Sequence, residues 1–178
     1  MPPSVVVSTL NVLLGMARVR SVPRNINLPE TFQQNVRHLL TMPVSKYAFG
    51  VALWAGAELG LPLTDDVLHH IDGMLSDKRQ WRSFRAQDLG MIVVGVVASA
   101  KLDRKKWSPM ANALFAFLLD RYYSPAGLFF DAAFGPRRRY ASFATQTYLL
   151  LACYSYGELL NDERAIAFAN TCTRKLIL

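Results

Sequence analysis

Three consecutive arginines, Arg137, Arg138 and Arg139, follow Gly135-Pro136 and run straight into Tyr140. Guanidinium groups grip carboxylates or phosphates through two parallel hydrogen bonds, and an adjacent aromatic ring can stack on a sugar or a base. The cluster reads as an anion-binding site, set against the alternative of a solvated loop. Asp131 stands just upstream, the one obvious acid of the same stretch. It can act as a catalytic acid or base, or accept backbone amides in a turn. Gln87 and Gln146 each follow a serine, Ser83 and Ser142, at the same spacing. Their amides can hold substrate hydroxyls, or complete a helix capping box one residue late.

Other reactive types point to structure. His69 and His70 are neighbours on a helical pattern and diverge, although Asp65 with His69 and Asp66 with His70 have the i,i+4 spacing of surface pairs. No third ligand or HExxH accompanies them, so capping and surface pairing are expected, with no metal. His38 flanks an apolar stripe and reads as structural. Of Trp54, Trp81 and Trp107, only Trp81, inside the basic run Lys78-Arg79-Gln80-Trp81-Arg82, is expected at the surface, as a platform for sugar. Cys153 and Cys172 lie in apolar stretches without zinc spacing and read as buried free thiols. No Gly-rich phosphate loop, GxSxG or Cys–His arrangement is present, and no cofactor is called for.

The elements that must position these residues are helices. Ser4 opens a first helix to about Val19, and Ser21 to Leu28 reads as a connector. Pro29 starts a second helix, ended by Pro43. Ser45 starts a third that Gly60 closes, and Thr64 or Asp65 starts a fourth to about Leu75. Ser83 opens a fifth to about Lys101. A turn at Leu102-Asp103 leads into a sixth, ending near Tyr123. Residues 124–141 form one long irregular stretch with a short extended piece at Leu128 to Asp131. A seventh helix runs from Ser142 to Leu160, and an eighth follows Asp162.

The register that places Ser83-Phe84-Arg85-Ala86-Gln87 on Ser142-Phe143-Ala144-Thr145-Gln146 also places Asp103 on Asp162 and Lys105 on Arg164. The chain therefore reads as one all-α domain over residues 1–178, built of about four repeated antiparallel hairpins. The first helix of each hairpin is the more apolar and the second the more charged, as in an inner layer covered by an outer one. The chain ends on Leu-Ile-Leu, with Leu178 aligned to Leu119. This is expected of a piece of a longer ring, of a truncation lacking C-terminal hairpins, or of a self-associating protomer.

The formal charge of +7 favours an anionic partner, or serves solubility alone. The basic runs 78–82 and 101–106 fall at opposite ends of the fifth helix rather than in one stripe, which argues against nucleic acid. The N-terminal apolar stretch has its arginines, Arg18 and Arg20, after it rather than before, unlike a secretory signal. The run from Leu89 to Ala100 is too short to span a bilayer. A soluble, cytoplasmic protein is expected, with peripheral membrane attachment through the first helix as a third reading.

Gly127-Leu128-Phe129-Phe130-Asp131, Arg137-Arg138-Arg139-Tyr140, Ser142-Phe143-Ala144-Thr145-Gln146 and the turn Asn161-Asp162-Glu163-Arg164-Ala165 together resemble the (α/α) toroid superfamily. Its members include six-hairpin glycosidases, polysaccharide lyases and uronyl epimerases. With about four hairpins instead of six, the resemblance implies an incomplete toroid. It implies a cleft at the starts of inner helices, lined by Asp131, Arg137 to Tyr140, Gln146 and Gln87. There Asp131 and Tyr140 would be catalytic, and the arginines, the glutamines and Trp81 would hold substrate. The function implied is binding or processing of a carbohydrate, an acidic one by the arginines. The alternative is a non-enzymatic helical scaffold that presents a basic surface to a protein or polyanion.

Overall fold

The computed structural model describes residues 2–19, 26–41 and 43–177. Most of the expected connector and the terminal Leu178 lie outside the described residues. Among those described, the chain is all-α, with eight helices. They are α1 (Pro3–Arg18), α2 (Leu28–His38), α3 (Lys46–Leu59), α4 (Asp65–Ser76), α5 (Ala86–Leu102), α6 (Arg104–Tyr122), α7 (Phe143–Leu160) and α8 (Glu163–Ile177). None is long and apolar enough to cross a membrane.

Short-range chemistry sets most of the boundaries. Asp103 accepts the Lys106 amide at 3.0 Å, and Asp162 accepts those of Arg164 and Ala165, satisfying orphan donors at the starts of α6 and α8. Gly60 ends α3 in the left-handed region, where its missing Cβ removes the steric penalty. The start of α5 departs from expectation. Ser83 does not cap it; its hydroxyl donates back to the Gln80 carbonyl and closes a 3-10 turn over Gln80–Ser83. The cap comes from inside the helix, where Asp88 accepts the Arg85 amide at 3.2 Å.

Asp88 does more than cap. Its second oxygen accepts the Tyr47 amide at 3.0 Å, tying the start of α3 to the start of α5. The Tyr47 ring meets Tyr148, near the start of α7, edge-on at 5.6 Å. The three helices therefore run in the same direction, and α1 packs beside α3, α3 beside α5 and α5 beside α7. On this row lie α2 against α1, α6 against α5 and α8 against α7. α4 is held by Val67, Ile71, Met74 and Leu75, which are buried in the core, and at its surface His70 stacks on Phe49 and Asp72 pairs with Lys106.

Sequence pattern explains which helix goes where. Every residue of α5 from Leu89 to Ala100 is buried, as an all-round apolar helix requires, and each large aliphatic side chain there contributes about 1.5–3 kcal/mol. In α6 only one stripe is buried, Trp107, Ala111, Leu114, Phe115, Leu118 and Tyr122. The expected extended piece at 128–131 is no strand. It contributes only isolated antiparallel bridges, between Tyr123 and Phe129 and, one residue beyond the piece, between Arg85 and Ala132.

Candidate functional site

The irregular segment between α6 and α7 is fastened to the starts of α5 and α7, and Asp131 is the knot. Its carboxylate accepts both the amide and the hydroxyl of Ser142 at 2.8 Å. Its backbone carbonyl accepts the Ala86 amide, and its amide donates to the Tyr140 carbonyl. Ser142 in turn caps α7 by accepting the Thr145 amide. Candidates from two distant stretches of the chain thereby converge. Gln87, Asp131 and Arg137 line one polar cavity of about 110 Å³, together with Arg85, Ser142 and Thr145.

The other candidates lie elsewhere. Arg138 turns away, its guanidinium 5.6 Å over the Phe130 ring. Arg139 is exposed, and Tyr140 is 64% exposed with no part in the cavity. Gln146 is fully buried, and its side-chain amide is consumed by Phe129: the Phe129 amide donates to Oε1 at 2.8 Å, and Nε2 donates to the Phe129 carbonyl at 2.6 Å. The two matched glutamines thus have opposite environments. Trp81 is 2% exposed and corrects the expectation of a surface platform. Its Nε1 donates to the Leu75 carbonyl, and its ring packs edge-on against Phe117. His69 and His70 both edge one open depression with Lys46, Phe49 and Gln80, where His70 stacks on Phe49, and no group of three or more metal-ligating side chains occurs among the described residues. Both cysteines are buried and free.

Sequence reading missed part of this face. Arg82 and Arg121 flank the Phe134 ring at 4.9 and 5.4 Å, so the arginine cluster extends well beyond 137–139. Phe143 is exposed at the first position of α7, three residues after the exposed Tyr140. The missed signal was Arg82 and Arg85 just ahead of α5, arginines that recur at 137–139 just ahead of α7.

Partial burial would raise the Asp131 pKa, but hydrogen bonding from Thr145 and from the Ser142 amide and hydroxyl, with the nearby Arg137 charge, outweighs it and holds the carboxyl below its ordinary value. Asp131 is therefore an ionised acceptor near neutral pH, unsuited to general-acid work. Among the described residues it is also the sole acid lining the cavity, where cleavage of a glycosidic bond ordinarily uses two. Because the folded pKa is depressed, the carboxylate stabilises the fold fully above the ordinary carboxylate pKa. That contribution is lost as pH falls through that value and then through the folded one. Asp131→Asn is expected to lower stability at neutral pH and to flatten the loss of stability on acidification below about pH 4. Urea unfolding of both proteins across that range checks this; parallel pH curves would sink the assignment.

The chain matches no family model, no curated protein and no solved structure with which it was compared.

Proposed function

We propose that this chain binds an acidic polysaccharide on the arginine-rich face at the starts of α5 and α7. The observation that carries this reading is the convergence of Gln87, Asp131 and Arg137 in one cavity with Arg85. Around it Arg82 and Arg139 supply forks for carboxylates, Arg121 adds charge although its Nε is paired with Asp120, and exposed Phe134, Tyr140 and Phe143 supply flat apolar faces for sugar rings. The row of α1, α3, α5 and α7 backed by the even-numbered helices supports an incomplete (α/α) toroid, in which this face lies at the starts of the inner helices. Binding fits the site better than processing, because the Asp131 carboxylate is committed to Ser142.

The test is thermal denaturation with uronate oligosaccharides, neutral oligosaccharides and unrelated polyanions, each at low and high salt. A uronate ligand at about a hundred times its Kd should stabilise by about 2.7 kcal/mol, a shift of roughly 5–10 °C for a chain of this length. The shift should persist in high salt and fall about tenfold in ligand affinity in Arg137→Ala, which removes one charge-assisted contact. Equal stabilisation by every polyanion, abolished by salt, would defeat the sugar reading and leave a helical scaffold with a basic surface.

A further inference from the structure

A second groove lies at the other end of the helix row and is independent of the arginine face. Its floor is Val94, Val97 and Ala98 of α5, with Trp54 of α3 on one side and Leu151 of α7 on the other, around about 250 Å³. Four charges edge it, one from the last turn of each odd-numbered helix: Arg18, Glu58, Lys101 and Glu158. Their signs alternate across the row.

The two acids are placed against the helix dipole, since the end of a helix carries partial negative charge and favours cations. For Glu58 the structure supplies compensation. Arg18 pairs with it at 3.3 Å, the Trp54 Nε1 donates to it at 3.1 Å, and the Arg18 guanidinium lies 4.9 Å over the Trp54 ring. This cluster forms one wall, with the Glu58 charge already answered. Glu158, on the opposite wall, has no ion-pair or hydrogen-bond partner among the described residues, and neither does Lys101. An unpaired carboxylate and an unpaired ammonium therefore edge one groove of mixed polar and apolar lining without joining each other.

We infer that this groove binds a small zwitterion with an apolar side chain, a free α-amino acid, whose ammonium meets Glu158 and whose carboxylate meets Lys101. The apolar side chain lies between Leu151 and Trp54, above the buried Val94 and Val97. The charge balance sets the class. A simple amine is opposed by Arg18 and Lys101, an anion by Glu58 and Glu158, and a neutral sugar leaves both free charges unused.

Calorimetric titration of the full chain with L-leucine, L-phenylalanine and L-tryptophan tests this, each beside its decarboxylated amine and its N-acetyl derivative. At least one amino acid should bind below about 1 mM, with both analogues at least roughly tenfold weaker. Glu158→Gln and Lys101→Met, both at exposed positions, should each weaken binding about fivefold, the size of one exposed charge pair, with unchanged melting temperature. Absence of heat up to about 10 mM amino acid, equal binding of the amine or the acetylated form, or wild-type affinity in both variants would overturn the assignment.

Discussion

Replacing Gly50 by alanine will destabilise the protein by about 2 kcal/mol and lower its melting temperature by roughly 4–8 °C. Helix propensity alone predicts the opposite sign, a gain of about 1 kcal/mol for removing glycine from a helix interior. Packing decides. A Cβ on Gly50 would sit 2.5 Å from the Met91 carbonyl oxygen and 2.6 Å from the Ile92 nitrogen, backbone atoms of α5 that cannot swing aside. One turn further along α5, a Cβ on Gly95 would meet the Leu53 Cβ at 2.8 Å and the backbone of Gly50 itself. The two glycines form one seam where α3 and α5 touch backbone to backbone. Gly95→Ala should therefore cost a similar amount, and the double variant less than the sum, because a separation that admits one methyl admits the other. Gly73→Ala in α4 is the control. No atom lies within 4 Å of its Cβ position, so that variant should be neutral or stabilised by up to about 1 kcal/mol. Equal stability of Gly50→Ala and Gly73→Ala in urea unfolding would show that the seam is not as close as described.

The seam also shows which parts of this fold are written locally. Asp103, Asp162 and Gly60 do their work within a few residues, so their spacing in the sequence revealed the ends of α3 and the starts of α6 and α8. The all-round apolar character of α5 likewise announced a helix covered on every side. Trp81 was misread because its neighbours are charged, while its indole reaches back to Leu75 and under Phe117, a contact that no local window contains. Gln87 and Gln146 share a motif, yet only Gln146 is overlaid by the segment at Phe129, so similar local sequence gave opposite burial. On the arginine face, 137–139 was legible as a run, whereas Arg82 and Arg121 join it only through Phe134 once the chain has folded. The row Arg18, Glu58, Lys101, Glu158 contains no motif at all. It exists because α1, α3, α5 and α7 lie side by side in that order and end at the same level.

Gln146→Ala is expected to produce the largest loss of any polar substitution, about 2–5 kcal/mol. Both Gln146 and Phe129 are fully buried, so truncation leaves the Phe129 amide and carbonyl without partners, at about 1–3 kcal/mol each. Gln87→Ala removes the matching residue from an exposed position and should change stability by no more than about 0.5 kcal/mol. Gln146→Glu separates the two halves of the interaction. The ionised carboxylate still accepts the Phe129 amide but turns an oxygen toward the Phe129 carbonyl, which needs a donor. Burial raises the pKa of such a carboxyl, and its protonated form regains an O–H to donate. The deficit of Gln146→Glu relative to the parent should therefore be large at pH 8 and shrink as pH falls toward about 5. Because Phe129 anchors the segment that carries Arg137, Arg138 and Arg139, amide hydrogen exchange across residues 124–141 should speed up in Gln146→Ala, and the uronate binding proposed for that face should weaken although Gln146 does not line the cavity. If Gln146→Ala were as mild as Gln87→Ala, or if exchange in 124–141 were unchanged, the arginine face would have to be held in place by something other than this buried amide.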